Sequence, residues 1–197
     1  YDRAGGYIDN IPGTRTFTLD DFNPATNLTV NNSALVEEDY NDVETWGGRA
    51  ALMIDLDDDW TATTQFIYQN QVANGGFLFD PTKGDLNVTD FLPSRNEDRW
   101  WQAALTIQGK LSDWDITYAG GYFERETDVV QDYSAHTVAY DAAYPSYVSF
   151  LDANDENIDP TQTYRGLDKY TKQTHELRLS SPSGNRWQLI AGVFVAR

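Results

Sequence analysis

From residue 45 to residue 69 apolar and polar positions alternate almost one for one. Trp46, Gly48, Ala50, Leu52, Ile54 and Leu56 fall on one side, and Thr45, Gly47, Arg49, Ala51, Met53 and Asp55 on the other. A period of two is the signature of a strand. A turn of aspartates, Asp57-Asp58-Asp59, follows. Beyond it Trp60, Ala62, Thr64, Phe66 and Tyr68 continue the first face, while Thr61, Thr63, Gln65, Ile67 and Gln69 continue the second. The scheme then repeats. Trp101, Ala103, Leu105, Ile107, Gly109 and Leu111 run down to the turn Ser112-Asp113, and Trp114, Ile116, Tyr118, Gly120 and Tyr122 run back up. Gln102, Thr106, Gln108, Lys110, Asp115, Thr117 and Arg125 form their polar side. In a third hairpin Leu177 and Leu179 share a face with Thr171, Gln173 and His175, so a bulge above Leu177 would be needed to keep that strand apolar throughout. After the turn Pro182-Ser183-Gly184-Asn185, the residues Trp187, Leu189, Ala191, Val193 and Val195 restore the pattern.

Between these hairpins lie polar stretches at 7–43, 72–97 and 129–168, which read as long loops. Short turns on one side, long loops on the other and aromatic residues at fixed heights predict an all-β fold. The predicted form is an antiparallel transmembrane β-barrel segment with short periplasmic turns and long extracellular loops. Trp46 to Leu56 is ten steps of strand, about 33 Å at about 3.3 Å per residue. A tilt of about 40° projects that to about 25 Å, the height of an outer-membrane apolar band. The membrane girdle expected at its margins is Trp46, Trp60, Tyr68, Trp101, Trp114, Tyr122 and Trp187, since indole and phenol rings favour the headgroup level. Arg49, Gln65, Gln69, Gln102, Arg125, Glu176 and Arg178 are expected to face the lumen. Small residues such as Ala50, Ala62, Ala103 and Gly120 suit a face filled in by lipid tails better than a close-packed core.

Composition narrows the classes further. Of 197 residues 40% are hydrophobic and 14% aromatic, with 6 Trp and 12 Tyr. Mean hydropathy is -0.58, too low for membrane helices, which need runs of about 20 apolar residues. A formal net charge of -17 argues against nucleic acid as a partner. Cysteine is absent, which removes disulfides and thiolate metal sites. Tyr1 opens no signal peptide and the last residues run through an alternating strand, so the chain reads as an internal piece of a longer protein.

No catalytic constellation emerges. Asp152 to Asp159 departs from the calcium-loop pattern at the required glycine, where Asn157 stands, and at the closing glutamate, where Thr163 stands. His136 and His175 lack a nearby partner for zinc, and the three-aspartate turn reads as a solvated rim. No metal and no cofactor is expected. The ligand-binding candidates are in the third loop: Tyr133, His136, Tyr140, Tyr144, Tyr147 and Arg165, which offer stacking faces and donors.

Several stretches carry a family resemblance. Gly5-Gly6-Tyr7-Ile8-Asp9-Asn10 resembles the end of an early barrel strand in TonB-dependent outer-membrane receptors. DYNDVETWGGRAAL from Asp39 to Leu52, ITYAGGYFERE from Ile116 to Glu126 and YTKQTHELRLSSP from Tyr170 to Pro182 are similar to later strands of that barrel. Their order covers nearly the whole chain. The resemblance implies a partial barrel domain over residues 1–197, with about six complete strands, no plug and no TonB box. It implies a place in the bacterial outer membrane and uptake of a scarce solute, most often a ferric siderophore. Outer-membrane lipid, a plug domain, TonB and the small-molecule ligand are the partners implied; enzymatic activity is not. The rival readings are a secreted carbohydrate-binding β-sandwich and a glycoside hydrolase.

Overall fold

The computed structural model describes residues 1–17, 27–144, 152–154, 156, 158–184 and 186–197. The chain is organised as one large antiparallel sheet with a smaller layer built from its loops. In chain order the elements are β1 (Asp2–Ala4), β2 (Asp9–Asn10), β3 (Thr14–Phe17), β4 (Leu28–Asn31), β5 (Val43–Asp55) and β6 (Trp60–Asn74). There follow β7 (Asn87–Val88), β8 (Arg95–Leu111), β9 (Trp114–Asp132), α1 (Ser134–Ala143), β10 (Thr163–Ser180) and β11 (Ile190–Ala196). The large sheet has seven strands in the order β1-β5-β6-β8-β9-β10-β11, so each long strand lies beside its neighbour in sequence. It is an open sheet, with β1 and β11 at its edges.

Register follows the alternation. Ile54 pairs with Ala62, Ala62 with Ile107, Ile107 with Tyr118, Tyr118 with Leu177 and Leu177 with Val193. One face is therefore apolar across the sheet. The turns are tight for local reasons. Asp57 Oδ1 accepts the amides of Asp59 and Trp60, each at 2.9 Å, which closes the aspartate turn. The next turn has only Ser112 and Asp113 between the paired Leu111 and Trp114, and Ser112 takes a φ of 56°, in the left-handed region.

Three sequence expectations are revised. β10 pairs with β9 without a break from Thr163–Asp132 to Ser180–Asp115, so there is no bulge above Leu177; His175, Gln173 and Thr171 simply share the apolar face. The long strands also run well into the stretches read as loops. β8 starts at Arg95, β9 continues to Asp132 and β10 starts at Thr163, because charged cross-strand pairs sustain them where the apolar pattern stops. The loops themselves are structured: β2 pairs with β7 in parallel, β3 pairs with β4, and α1 packs on β3.

Burial is inverted relative to an ordinary sheet protein. Among the described residues the buried apolar side chains are Ile8, Phe17 and Phe91, all in the loop layer. The large sheet leaves Leu52 56%, Leu177 55% and Val193 67% exposed. Ala50 is exposed, Leu105 is exposed and Ile116 is half-buried; none lies in a dry interior.

Candidate functional site

Two features of the molecule carry chemistry: the banded apolar face of the sheet and the cap made by the loops.

Aromatic rings mark both margins of the apolar face. On the loop side Trp46 lies 5.0 Å from Tyr68, Trp101 is 6.1 Å from Phe66 and 5.0 Å from Tyr122 between ring centroids. This band does not follow the hydrogen-bonded rows. Trp46 pairs with Asn70, two residues past Tyr68; Tyr68 pairs with Trp101; Trp101 pairs with Glu124, two residues past Tyr122. The band thus slips four residues over three strand steps. At about 3.3 Å per residue and about 4.8 Å per strand that is an angle of about 40°. The turn-side band slips the same way. Trp60 shares a row with Gly109 and Ile116, and Trp114 is two residues beyond Ile116, an angle of about 35° by the same spacings. Trp60 also fills the notch left by Gly109, where a Cβ would lie 2.2 Å from the indole. Trp187 precedes β11, in the third turn, and is 80% exposed.

Just beyond the loop-side band the same face turns into a charge ladder. Arg99 meets Glu126 at 2.6 Å, Lys169 meets Glu124 at 3.1 Å and Glu126 at 2.9 Å, and Arg165 meets Asp128 at 2.8 Å. These exposed pairs are each worth about 0–1 kcal/mol; their main effect is to fix the register of the strand extensions. On the opposite face Arg49, Gln65, Gln69, Gln102, Arg125, Glu176 and Arg178 all share one side of the sheet by register. Arg178 pairs with Glu176, and Arg125 with Asp98. Trp100 lies on this side too, in contact with Phe123, which meets Tyr170.

The cap is organised by buried asparagines. Asn41 Oδ1 accepts the amides of Tyr7 and Ile8 at 2.7 and 2.8 Å. Asn10 joins segments 32–35 and 90 to its own. Tyr40 reaches across to donate to Asp90 Oδ2 at 2.6 Å and accepts the Gly76 amide at 2.8 Å. Burial, then the bond to Asp90, pushes the Tyr40 phenol well above its ordinary range, so it stays a donor. Burial likewise raises the Asp90 carboxyl, partly opposed by the Tyr40 hydrogen bond, with Asp132 raising it further and Arg15 lowering it. A raised carboxyl binds its proton more tightly in the folded cap than in the unfolded chain. The contribution of Asp90 to cap stability is therefore fully present below its ordinary value of 3.8 and is lost as pH rises through the raised one. Asp90→Asn keeps the acceptor for Tyr40 and removes the buried charge. The expected result is slower proteolysis of segment 75–94 at neutral pH and a flatter dependence on pH between about 4 and 7. Unchanged proteolysis at both ends of that range would contradict it.

Of the predicted ligand residues, Tyr133, His136, Tyr140 and Tyr144 come together in one column along α1. Successive centroids are 4.8, 6.1 and 5.1 Å apart. The helix buries Ser134, Thr137 and Asp141 and leaves the aromatic stripe exposed. Arg165 does not join them; its side chain is engaged by Asp128 through two hydrogen bonds, so it is a ladder residue. Tyr147 lies outside the described residues. Asp152 Oδ1 accepts the amides of Asn154 and Glu156, an Asx-type turn; Asp155 and Asn157 are outside the described residues. Among the described residues no group of three or more metal-binding side chains occurs.

The sequence reading missed Arg15, Tyr40 and Asp90, which the cap brings together around a cavity. Their signal was only a scatter of single residues in stretches classed as loop. No known family model, curated protein or solved structure matches the chain.

Proposed function

We propose that the large sheet is part of the wall of an outer-membrane β-barrel, and that the protein serves TonB-dependent uptake of a scarce solute. The observation that carries the membrane reading is the pair of aromatic bands running obliquely to the strand rows at the same inclination. Strands of such barrels tilt by about 35–45°. A level headgroup plane must then cross the hydrogen-bonded rows at that angle, and aromatics held at the plane must slip about one residue per strand. A sheet buried against a second layer imposes no such slip. A β-sandwich would also cover the apolar face, and among the described residues it is uncovered.

In this reading the ladder beyond the loop-side band stands in the outer headgroup layer and the cap lies outside the cell. The polar face lines the lumen, and further strands close the sheet at its two edges: at β1, with the stretch of β5 that β1 leaves unpaired, and at β11. The solute class, a ferric siderophore, comes from the family resemblance; plug and TonB are the partners it brings.

Two measurements test this. The protein should require detergent for monodispersity and enter the outer-membrane fraction of cells that express its full gene. Deletion of that gene should reduce ferric siderophore uptake under iron limitation. A monodisperse species in plain buffer would end the membrane reading. Normal uptake of every siderophore tried would end the iron reading alone.

A further inference from the structure

The cap encloses a cavity of about 270 Å³. Its chemistry is divided. Phe77, Phe79 and Phe91 supply flat apolar walls, and Arg15, Tyr40 and Asp90 supply polar groups. The Arg15 guanidinium carbon stands 5.4 Å from the centre of the Phe91 ring. Its Nε is buried with no hydrogen-bond partner, a donor that folding alone leaves unmet. Asp90 gives one carboxylate oxygen to Tyr40. At the rim Phe77, Leu78 and Phe79 are 47%, 79% and 43% exposed, three consecutive large apolar side chains in a strongly acidic protein.

We propose that this cavity binds a planar, uncharged aromatic group that carries a hydrogen-bond acceptor beside a donor. The acceptor meets the Arg15 guanidinium and the donor meets Asp90. The ring lies among Phe77, Phe79 and Phe91, in the offset or edge-on contacts that aromatic pairs prefer. The surroundings disfavour an anion, because Asp80, Asp90 and Asp132 line the space with one cation, Arg15; a cation is disfavoured where the acceptor must sit, against the Arg15 guanidinium. The volume is near the lower limit of ligand pockets, which suits one ring or the end of a larger molecule. The proposal deepens the uptake reading by giving the cap a capture site. It rests on that reading for its purpose, but its test needs neither transport nor a bilayer.

The test is equilibrium binding to the full chain in detergent micelles, followed by saturation-transfer NMR and calorimetry. Salicylamide, planar and neutral, is the probe; salicylate is its charged counterpart. Saturable binding of salicylamide is expected, with salicylate at least about tenfold weaker. Arg15→Gln should weaken salicylamide by about tenfold, the scale of one hydrogen bond to a charged group. Because Arg15→Gln also alters β3, Phe79→Ser at the exposed rim is the second variant, with a loss of several-fold expected. The proposal is overturned by absence of saturation transfer, by a preference for salicylate, or by equal affinity in the parent and Phe79→Ser proteins. Any of those outcomes leaves the membrane and uptake reading untouched, because that reading is decided by detergent dependence and siderophore uptake.

Discussion

Leu105→Arg is expected to prevent stable insertion of the sheet into a bilayer, while Thr106→Arg, one residue away, is tolerated. Leu105 belongs to the middle of the apolar face, paired with Thr64 on one side and Gly120 on the other. It is four residues from Trp101, at the loop-side band. Thr106 points to the opposite face, beside Thr63 and Ala119. An arginine held toward lipid near the bilayer midplane costs about 2–4 kcal/mol. On the surface of a water-soluble sheet the same substitution at a residue already 39% exposed would change stability by about 0.5 kcal/mol or less. The two environments therefore differ by a margin that a urea titration of folding into phosphatidylcholine vesicles resolves. Tryptophan emission reports the transition, since Trp60, Trp101 and Trp114 all stand on the apolar face. Equal behaviour of the two variants would contradict a lipid-facing surface.

The sheet was legible in the sequence because its information is local. A two-residue period fixes which side chains share a face. A tight turn at each lower end fixes the register within its hairpin, so the pairings Ile54–Ala62 and Ile107–Tyr118 follow from counting back from the turns, whereas Ala62–Ile107 and Tyr118–Leu177, across the long loops, do not. The register above Leu177, which the alternation leaves open to a bulge, runs without one: His175 stays on the apolar face, and its imidazole Nδ1 is 2.8 Å from the Tyr118 hydroxyl. The strand extensions were hidden for a related reason. Beyond Trp101 and Tyr122 the alternation changes from apolar–polar to charge–countercharge, as in Arg99 opposite Glu126, and only pairing across strands makes such a segment look regular.

The cap was not legible because its contacts are long-range and polar. Tyr40 and Asp90 are 50 residues apart and Asn10 and Asp90 are 80 apart. Nothing in the composition of an Asn- and Asp-rich stretch separates a solvated loop from one whose asparagines are buried. The column of Tyr133, His136, Tyr140 and Tyr144 was halfway between. Residue type alone marks them, and their spacing of three or four is helical, but the polar and acidic residues around them hide the helix.

Asn10→Ala is expected to melt the cap and leave the sheet folded. The Asn10 side chain is 2% exposed and uses its full hydrogen-bonding capacity. Its Nδ2 donates to the carbonyls of Leu35 and Asp90 at 2.8 and 3.2 Å, and its Oδ1 accepts the Asp90 amide at 2.8 Å and Asn32 Nδ2 at 3.3 Å. Three chain segments thus converge on one amide, next to an apolar core that among the described residues consists of Ile8, Phe17 and Phe91. Alanine removes all four bonds and leaves two carbonyls, a backbone amide and one N–H of Asn32 in want of partners, while Asn32 keeps its bonds to Ile11 and Gly13. At about 1–3 kcal/mol for each buried group left unmet, with water recovering part, the loss is about 3 kcal/mol or more. The small apolar core cannot offset it. Hydrogen exchange read by mass spectrometry should show segments 7–16, 27–41 and 75–94 losing protection together. Segment 100–125, held by ladders on both sides, should exchange as in the parent protein. Protection lost across both regions would mean that cap and sheet unfold as one cooperative unit, and protection kept in both would mean that the amide of Asn10 is not what joins the cap.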